Sequence, residues 1–303
     1  MRGFVTIVTG KEAYYRLAHN LLLSYRYHAK FQVPFAILCD QHNRWTEDFD
    51  EVVLIPNPAY SYFDKMRILD LSPFDETIFI DADCLLFRDP NSLWSLFKNG
   101  PDVGVLGATI PLDADKGWWN VEDLGELKSR VDYKMTIQGG IYYVRNSGKH
   151  ISAFIETCRL IEEHYLDYHF RMFEDSYSDE MIISLACCVH HYKPAKDWVD
   201  VFAFYPEVKF LAMDILSGAL EFEWIKFPDH RYKDSLLIHF STTFARNRWQ
   251  YKKEVFKLKR GPIRFSNCGE YCLLRMSHIR KKILSTLFRL LGNERRDVLD
   301  IYS

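Results

Sequence analysis

Asp81 and Asp83 stand one residue apart, with Ala82 between them, directly after the apolar run TIFI at residues 77–80. Two bare carboxylates next to a buried strand are costly unless a counter-charge meets them. A divalent cation removes that cost. Mg²⁺ and Mn²⁺ favour hard carboxylate oxygens and are often shared with substrate phosphates. Side chains two apart point the same way along a strand, and they can also converge at an irregular strand end. A turn in which both aspartates cap nearby amides is the structural alternative. His239 closes a second apolar run, SLLIHF at 235–240, and its ring is a candidate third ligand. Three further groups hold reactive or permissive residues. Gln138-Gly139-Gly140 lies inside IQGGIYYV, where the glycines read either as a bulge or as a close backbone approach. Asp179 and Glu180 follow Ser178 at the head of an apolar helix pattern, where they also suit N-terminal capping. Lys65 and Arg67 flank Met66 on a short helical stretch, where solvated cations are the ordinary reading.

The surrounding pattern supplies strands that end at these positions. Residues 4–9, 34–39, 52–55 and 77–80 read as strands, with a helix over 12–28 and a helical turn or two over 64–71. FVTIV, FAIL and TIFI are continuous apolar runs, as expected of strands buried on both faces. This traffic predicts an α/β domain with a mostly parallel central sheet and helices outside. Ligands of such sheets gather at the carboxyl ends of the strands, where Asp81 and Asp83 stand. Residues 92–98 read as a short helix, 102–108 as a strand, 111–133 as a loop or lid containing Trp118 and Trp119, and 137–144 as a strand. Helices follow over 148–165 and 178–189. Residues 190–232 are mixed and aromatic.

The chain has 303 residues, enough for one large domain. Its 22 Phe, 18 Tyr and 7 Trp fill cores and also stack on sugar faces in clefts. The net charge is only −2, yet residues 241–296 carry 15 Lys/Arg against 3 Asp/Glu, on an acidic body. We therefore divide the chain into a main domain, residues 1–245, and a basic C-terminal extension, residues 246–303. Residues 271–296 make an amphipathic helix ending near Gly292. Met276, Ile279, Ile283, Leu287 and Leu290 form one stripe, and Arg275, Lys282 and Arg289 another. Such a helix either packs on the body or lies on an anionic membrane surface. Nucleic acid is not an expected partner, because no recognised module accompanies the charge. Seven scattered cysteines without a CxxC pair argue against a disulfide scaffold or structural zinc. The opening apolar run is too short for a signal peptide. A cytoplasmic setting, peripheral on the inner face of the cell membrane if the tail binds there, is the expectation.

In this order, the apolar strand running into Asp-Ala-Asp, the later Gly-Gly strand and the histidine after a late strand resemble the GT-A glycosyltransferases. The resemblance is to the glycogenin and bacterial lipopolysaccharide galactosyltransferase group, the retaining family 8. It runs from residue 4 to 240 and is strongest over 62–94. It implies a Rossmann-like GT-A domain that moves a sugar from a nucleotide-sugar donor, by default a UDP-sugar, to a glycan or glycolipid acceptor. It further implies that Asp81, Asp83 and His239 hold Mn²⁺ (or Mg²⁺) against the donor diphosphate, with Ala82 beside the nucleotide. Thr6, Val8 and Thr9 would line the base and ribose pocket, with Tyr14 or Tyr15 near the base and Asp40 nearby. Lys65 would face the nucleotide or its sugar, with Arg67 a companion. Gln138, Gly139 and Gly140 would flank the donor sugar. Asp179 and Glu180 would place a carboxylate by the reacting sugar, where Asp179 or Gln138 steadies the developing positive charge. An inverting enzyme would instead need a carboxylate base, for which Asp113 and Asp179 are available. The family follows its late histidine with a glycine and a Lys-Pro-Trp-like segment. This chain has HFSTTFARNRWQYKK instead, so Arg246 or Arg248 would replace that lysine.

Three other functions fit parts of the pattern. A haloacid-dehalogenase-type phosphohydrolase also places D-x-D after a strand, but wants Thr or Val where Leu85 stands. A sugar nucleotidyltransferase would carry a Gly-rich basic loop after the first strand, and GKEAYY has one glycine and one lysine. A non-catalytic nucleotide-sugar or glycan-binding domain would keep the pocket without turnover.

Overall fold

The computed structural model describes residues 1–290 except 116, 171–177, 206, 234 and 242–247. Arg246 and Gly292 therefore lie outside the described residues. Six strands form the central sheet: β1 (Arg2–Val8), β2 (Phe35–Cys39), β3 (Glu51–Leu54), β4 (Glu76–Ile80), β6 (Val103–Ile110) and β7 (Lys134–Arg145). Their order is β3-β2-β1-β4-β7-β6. The first four run parallel, and β7 is antiparallel to both of its neighbours. Apart from β7 this is the mostly parallel α/β sheet that the apolar runs predict.

Period-2 alternation sorts these runs into two cores. Phe4, Ile78 and Ile80 pack toward α1 (Glu12–His28), against Tyr15, Ala18, Leu21, Leu22 and Tyr25. Val5, Ile7 and Phe79 face the opposite layer, formed by α4 (Ile151–Glu163) and α5 (Asp179–Val189). Two shorter helices, α2 (Ile68–Leu71) and α3 (Ser92–Phe97), join these layers. The expected helix over 64–71 is a tighter 3₁₀ turn, Tyr62–Arg67, running into α2. Residues 111–133 are no open lid: Trp119, Leu124 and Leu127 are buried in the α4/α5 core.

A second sheet was not legible in the sequence. β5 (Cys84–Leu86) follows the acidic pair directly and pairs antiparallel with β12 (Leu237–His239), which pairs parallel with β8 (Phe202–Phe204). The aromatic stretch 190–232 holds this β8 and a meander of β9 (Val208–Asp214), β10 (Ala219–Trp224) and β11 (Phe227–Lys233). Beyond the sheets, α6 (Trp249–Arg260) packs on α1, where Asn20 Nδ2 donates to Tyr251 Oη at 3.0 Å. Its buried Glu254 accepts from the Ile215 amide, and Lys257 bonds both Glu254 and Asp214. The last described element is α7 (Phe265–Leu290). No helix among the described residues is long and apolar enough to cross a membrane.

Candidate active site

β4 ends at Ile80, and Asp81 keeps contact with the sheet by donating its amide to the Gly140 carbonyl of β7 at 2.9 Å. The chain then turns: the Cys84 amide returns to the Asp81 carbonyl at 3.0 Å, and β5 begins. The acidic pair thus sits on a tight turn rather than in a regular strand. Register does the rest. His239 pairs with Cys84, and the Phe240 amide donates to the Asp83 carbonyl. This pairing places His239 Nε2 3.0 Å from Asp83 Oδ1 and 3.6 Å from Asp81 Oδ2. All three side chains are largely buried.

Lys65, on the 3₁₀ turn, enters from the opposite side. Its Nζ is 2.8 Å from Asp81 Oδ2 and 3.8 Å from Asp179 Oδ1. Arg67 points elsewhere: it faces Asp70 and lines a cavity of about 560 Å³ against Ile155, Arg159 and Glu162 of α4. Asp179 and Glu180 open the first turn of α5. Ser178 sits at the N-cap without a side-chain bond. Asp179 Oδ2 accepts from Tyr142 Oη at 2.7 Å, and Glu180 Oε1 accepts from the Gly139 amide at 2.6 Å. Both carboxylates are turned toward β7 and the acidic pair.

The two glycines have a steric reason. The pairing of β6 with β7 jumps between Val105 and Gly107, so Gln138–Ile141 forms an excursion opposite Leu106. Gln138 Oε1 braces it by accepting the Gly140 amide at 2.8 Å. A Cβ on Gly139 would lie 2.9 Å from Glu180, and one on Gly140 2.9 Å from His239 Nδ1. Bulge and close approach are the same feature here.

Electrostatics binds the cluster together. Burial would raise the Asp81 pKa, but the Lys65 ammonium and the His239 ring outweigh it and hold the carboxyl well below its usual range. Burial would lower the Lys65 pKa, but Asp179 and Asp81 raise it above the ordinary amine value. For His239 the Asp83 carboxylate, backed by Asp81, overcomes burial and lifts the pKa to about 9. Burial raises Asp179, against the pull of Lys65. Burial and the Asp179 charge push Glu180 to about 7.

Asp83, Cys84 and His239 each offer a ligand atom within 4.8 Å of the others. Burial, helped by the charge of Asp83, keeps the Cys84 thiol protonated, so the carboxylates and imidazole are the better donors for a hard cation. Nothing in the sequence singles out Cys84, whose place follows from the β5–β12 register.

The residues expected around the nucleotide lie along β1 and at the ends of β1 and β2. Asp40 Oδ1 accepts from the Gly10 amide at 3.1 Å and from Tyr15 Oη. Tyr15 is buried, whereas Tyr14 is partly exposed on the first turn of α1. Thr6 and Val8 are buried within β1. Thr9 Oγ1 donates to Asp64 at 2.7 Å. Asp64 is almost fully buried and also accepts the Ala59 and Tyr60 amides.

No family model matches the chain, and no curated protein matches it. Among solved structures, the fold is that of GT-A glycosyltransferases. The chain is similar to the galactosyltransferase LgtC, solved in complex with donor and acceptor sugar analogues, at 12% identity and a TM-score of 0.51, covering 88% of this chain and 99% of that one. A weaker likeness is to mouse xyloside xylosyltransferase 1, at 12% identity and a TM-score of 0.46, covering 67% and 88%. At such identities the likeness is one of fold.

Proposed function

We propose that this protein is a metal-dependent glycosyltransferase that moves a sugar from a nucleotide-sugar donor, by default a UDP-sugar, to a glycan or glycolipid acceptor. The convergence of Asp81, Asp83 and His239 at the carboxyl edge of a GT-A-type sheet carries this reading. Four carboxylates, Asp81, Asp83, Asp179 and Glu180, gather around Lys65 and His239. The donor set suits Mn²⁺ or Mg²⁺, held by Asp81, Asp83 and His239. When bound, such an ion neutralises a diphosphate and stabilises it as a leaving group.

The chain's own residues complete the reading. Lys65 keeps Asp81 ionised and Asp179 compensated. The missing side chains of Gly139 and Gly140 make room for Glu180 and His239 beside β7, and Gln138 braces that backbone. Asp179, anchored by Tyr142, and Glu180, anchored by the Gly139 amide, would place negative charge where a glycosyl cation develops. Of the carboxylates open to an inverting base role, Asp113 is exposed on the 111–120 loop and Asp179 is already engaged by Tyr142 and Lys65. This favours transfer with retention.

The decisive test incubates the full chain with a panel of nucleotide sugars and Mn²⁺ and measures nucleoside diphosphate release. Release from at least one donor, abolished by chelation and by D83N, is expected. Absence of both binding and turnover for every donor would sink the reading, and binding without turnover would favour a binding module.

The same reading gives α7 a membrane role. Leu273, Met276, Ile279 and Ile283 are all substantially exposed on it, beside Arg280, Lys281 and Lys282. An apolar stripe next to basic side chains suits the surface of an anionic bilayer. Flotation with phosphatidylglycerol vesicles, with and without residues 265–303, tests this. Equal flotation would remove the proposal.

A further inference from the structure

The turn after β1 is clamped from two sides by carboxylates. Asp40 takes the Gly10 amide from the β2 side. Asp64 takes the Thr9 hydroxyl from the other side, and the same carboxylate takes the Ala59 and Tyr60 amides at 2.8 and 2.9 Å. Asp64 thereby ties the 56–61 loop to the end of β1. Within that loop Tyr60 adopts a left-handed backbone, φ 54°, which a bulky residue rarely takes. Its ring is not driven there by burial, because Tyr60 is 64% exposed. One edge of the ring meets Gly10, with Cδ1 3.3 Å and Cε1 4.0 Å from where a Cβ would stand. Gly10 itself needs φ +83° and presents no side chain. An exposed aromatic ring is thus held beside bare backbone just past the carboxyl end of β1. The first turn of α1 places Tyr15 in the core, bonded to Asp40, so that ring is not available for stacking.

We propose that Tyr60 is the stacking platform for the nucleobase of the donor, held in place by Asp64. This rests on the nucleotide-sugar reading above. Stacking on an aromatic face is tolerant of base identity, so Tyr60 supplies affinity for a nucleoside. The metal and Lys65 side of the cleft is left to the diphosphate.

The test is calorimetric titration of the full chain with UDP, ADP and GDP in the presence of Mn²⁺, and with Mn²⁺-pyrophosphate. Tyr60→Asn keeps the left-handed backbone while removing the ring, and Tyr60→Phe keeps the ring. Tyr60→Asn should weaken the bound nucleoside diphosphate about tenfold or more and leave pyrophosphate unchanged. Tyr60→Phe should stay within about twofold of wild type. If Tyr60→Asn binds the nucleotide as wild type does, or loses pyrophosphate to the same degree, the platform assignment falls and the nucleotide-sugar reading stands. If wild type binds none of the three nucleotides, both fall. Thermal melts of each variant show that the fold is intact.

Discussion

His239 Nε2 lies 3.0 Å from Asp83 Oδ1 although 156 positions separate them in the chain, because β12 pairs with β5 in the register that sets His239 against Cys84. An imidazole between two carboxylates binds its own proton tightly when no metal competes. With a folded pKa of about 9 against an unfolded value of 6.5, that proton stabilises the metal-free fold fully below pH 6.5. The stabilisation is lost as pH rises through about 9. A cation must displace that proton, so Mn²⁺ affinity should climb between pH 6.5 and 9 with about one proton released per ion. Calorimetry in buffers of different ionisation enthalpy measures this. A pH-independent affinity would place the ion away from His239.

Replacing His239 by Ala should weaken Mn²⁺ binding by at least roughly tenfold, or ~1.4 kcal/mol, read by paramagnetic resonance of the free ion. Asp83→Asn should do the same. Cys84→Ser should not, since the thiol stays protonated.

Lys65 pairs with both Asp81 and Asp179. Lys65→Met should strand two buried carboxylates and cost about 3–5 kcal/mol without metal. Saturating Mn²⁺ should recover part of that loss. Denaturant melts with and without the ion check it, and an unchanged midpoint would contradict the pairing.

Glu180 titrates near pH 7 in the fold against 4.5 when unfolded. The metal-free native state therefore holds the extra proton across that window, and stability falls as pH rises through it. Glu180→Gln should flatten this slope and stabilise the protein at pH 8 by about 1–3 kcal/mol. Urea titrations at pH 5 and pH 8 provide the comparison.

Gly140→Ala would put a methyl 2.9 Å from His239 Nδ1. We expect about 1–3 kcal/mol of destabilisation from overpacking, together with loss of Mn²⁺ binding. A variant that melts like wild type and binds Mn²⁺ normally would show that the ring can move aside without penalty.

The parallel sheet, the helices on its faces and the strand end that carries Asp81 and Asp83 are all legible in the order of residues. Continuous apolar runs such as FAIL and TIFI can only be buried on both sides, and that constraint is local. The family resemblance pointed further to Lys65, Asp179 and the glycine pair. What these residues meet emerges from the folded chain alone. The late strand that ends in His239 shows in its apolar run, but the three residues of β5 are too short to announce themselves, and it is their register with β12 that sets His239 against Asp83. Asp179 and Glu180 look like helix caps in one dimension, and only the packing of α5 on β7 turns them to Tyr142 and Gly139. Asp64 and Tyr60 left no sequence signal, because their roles depend on a loop folding back over Gly10. Local pattern records which surfaces must be buried, whereas long-range pairing records which side chains then face one another.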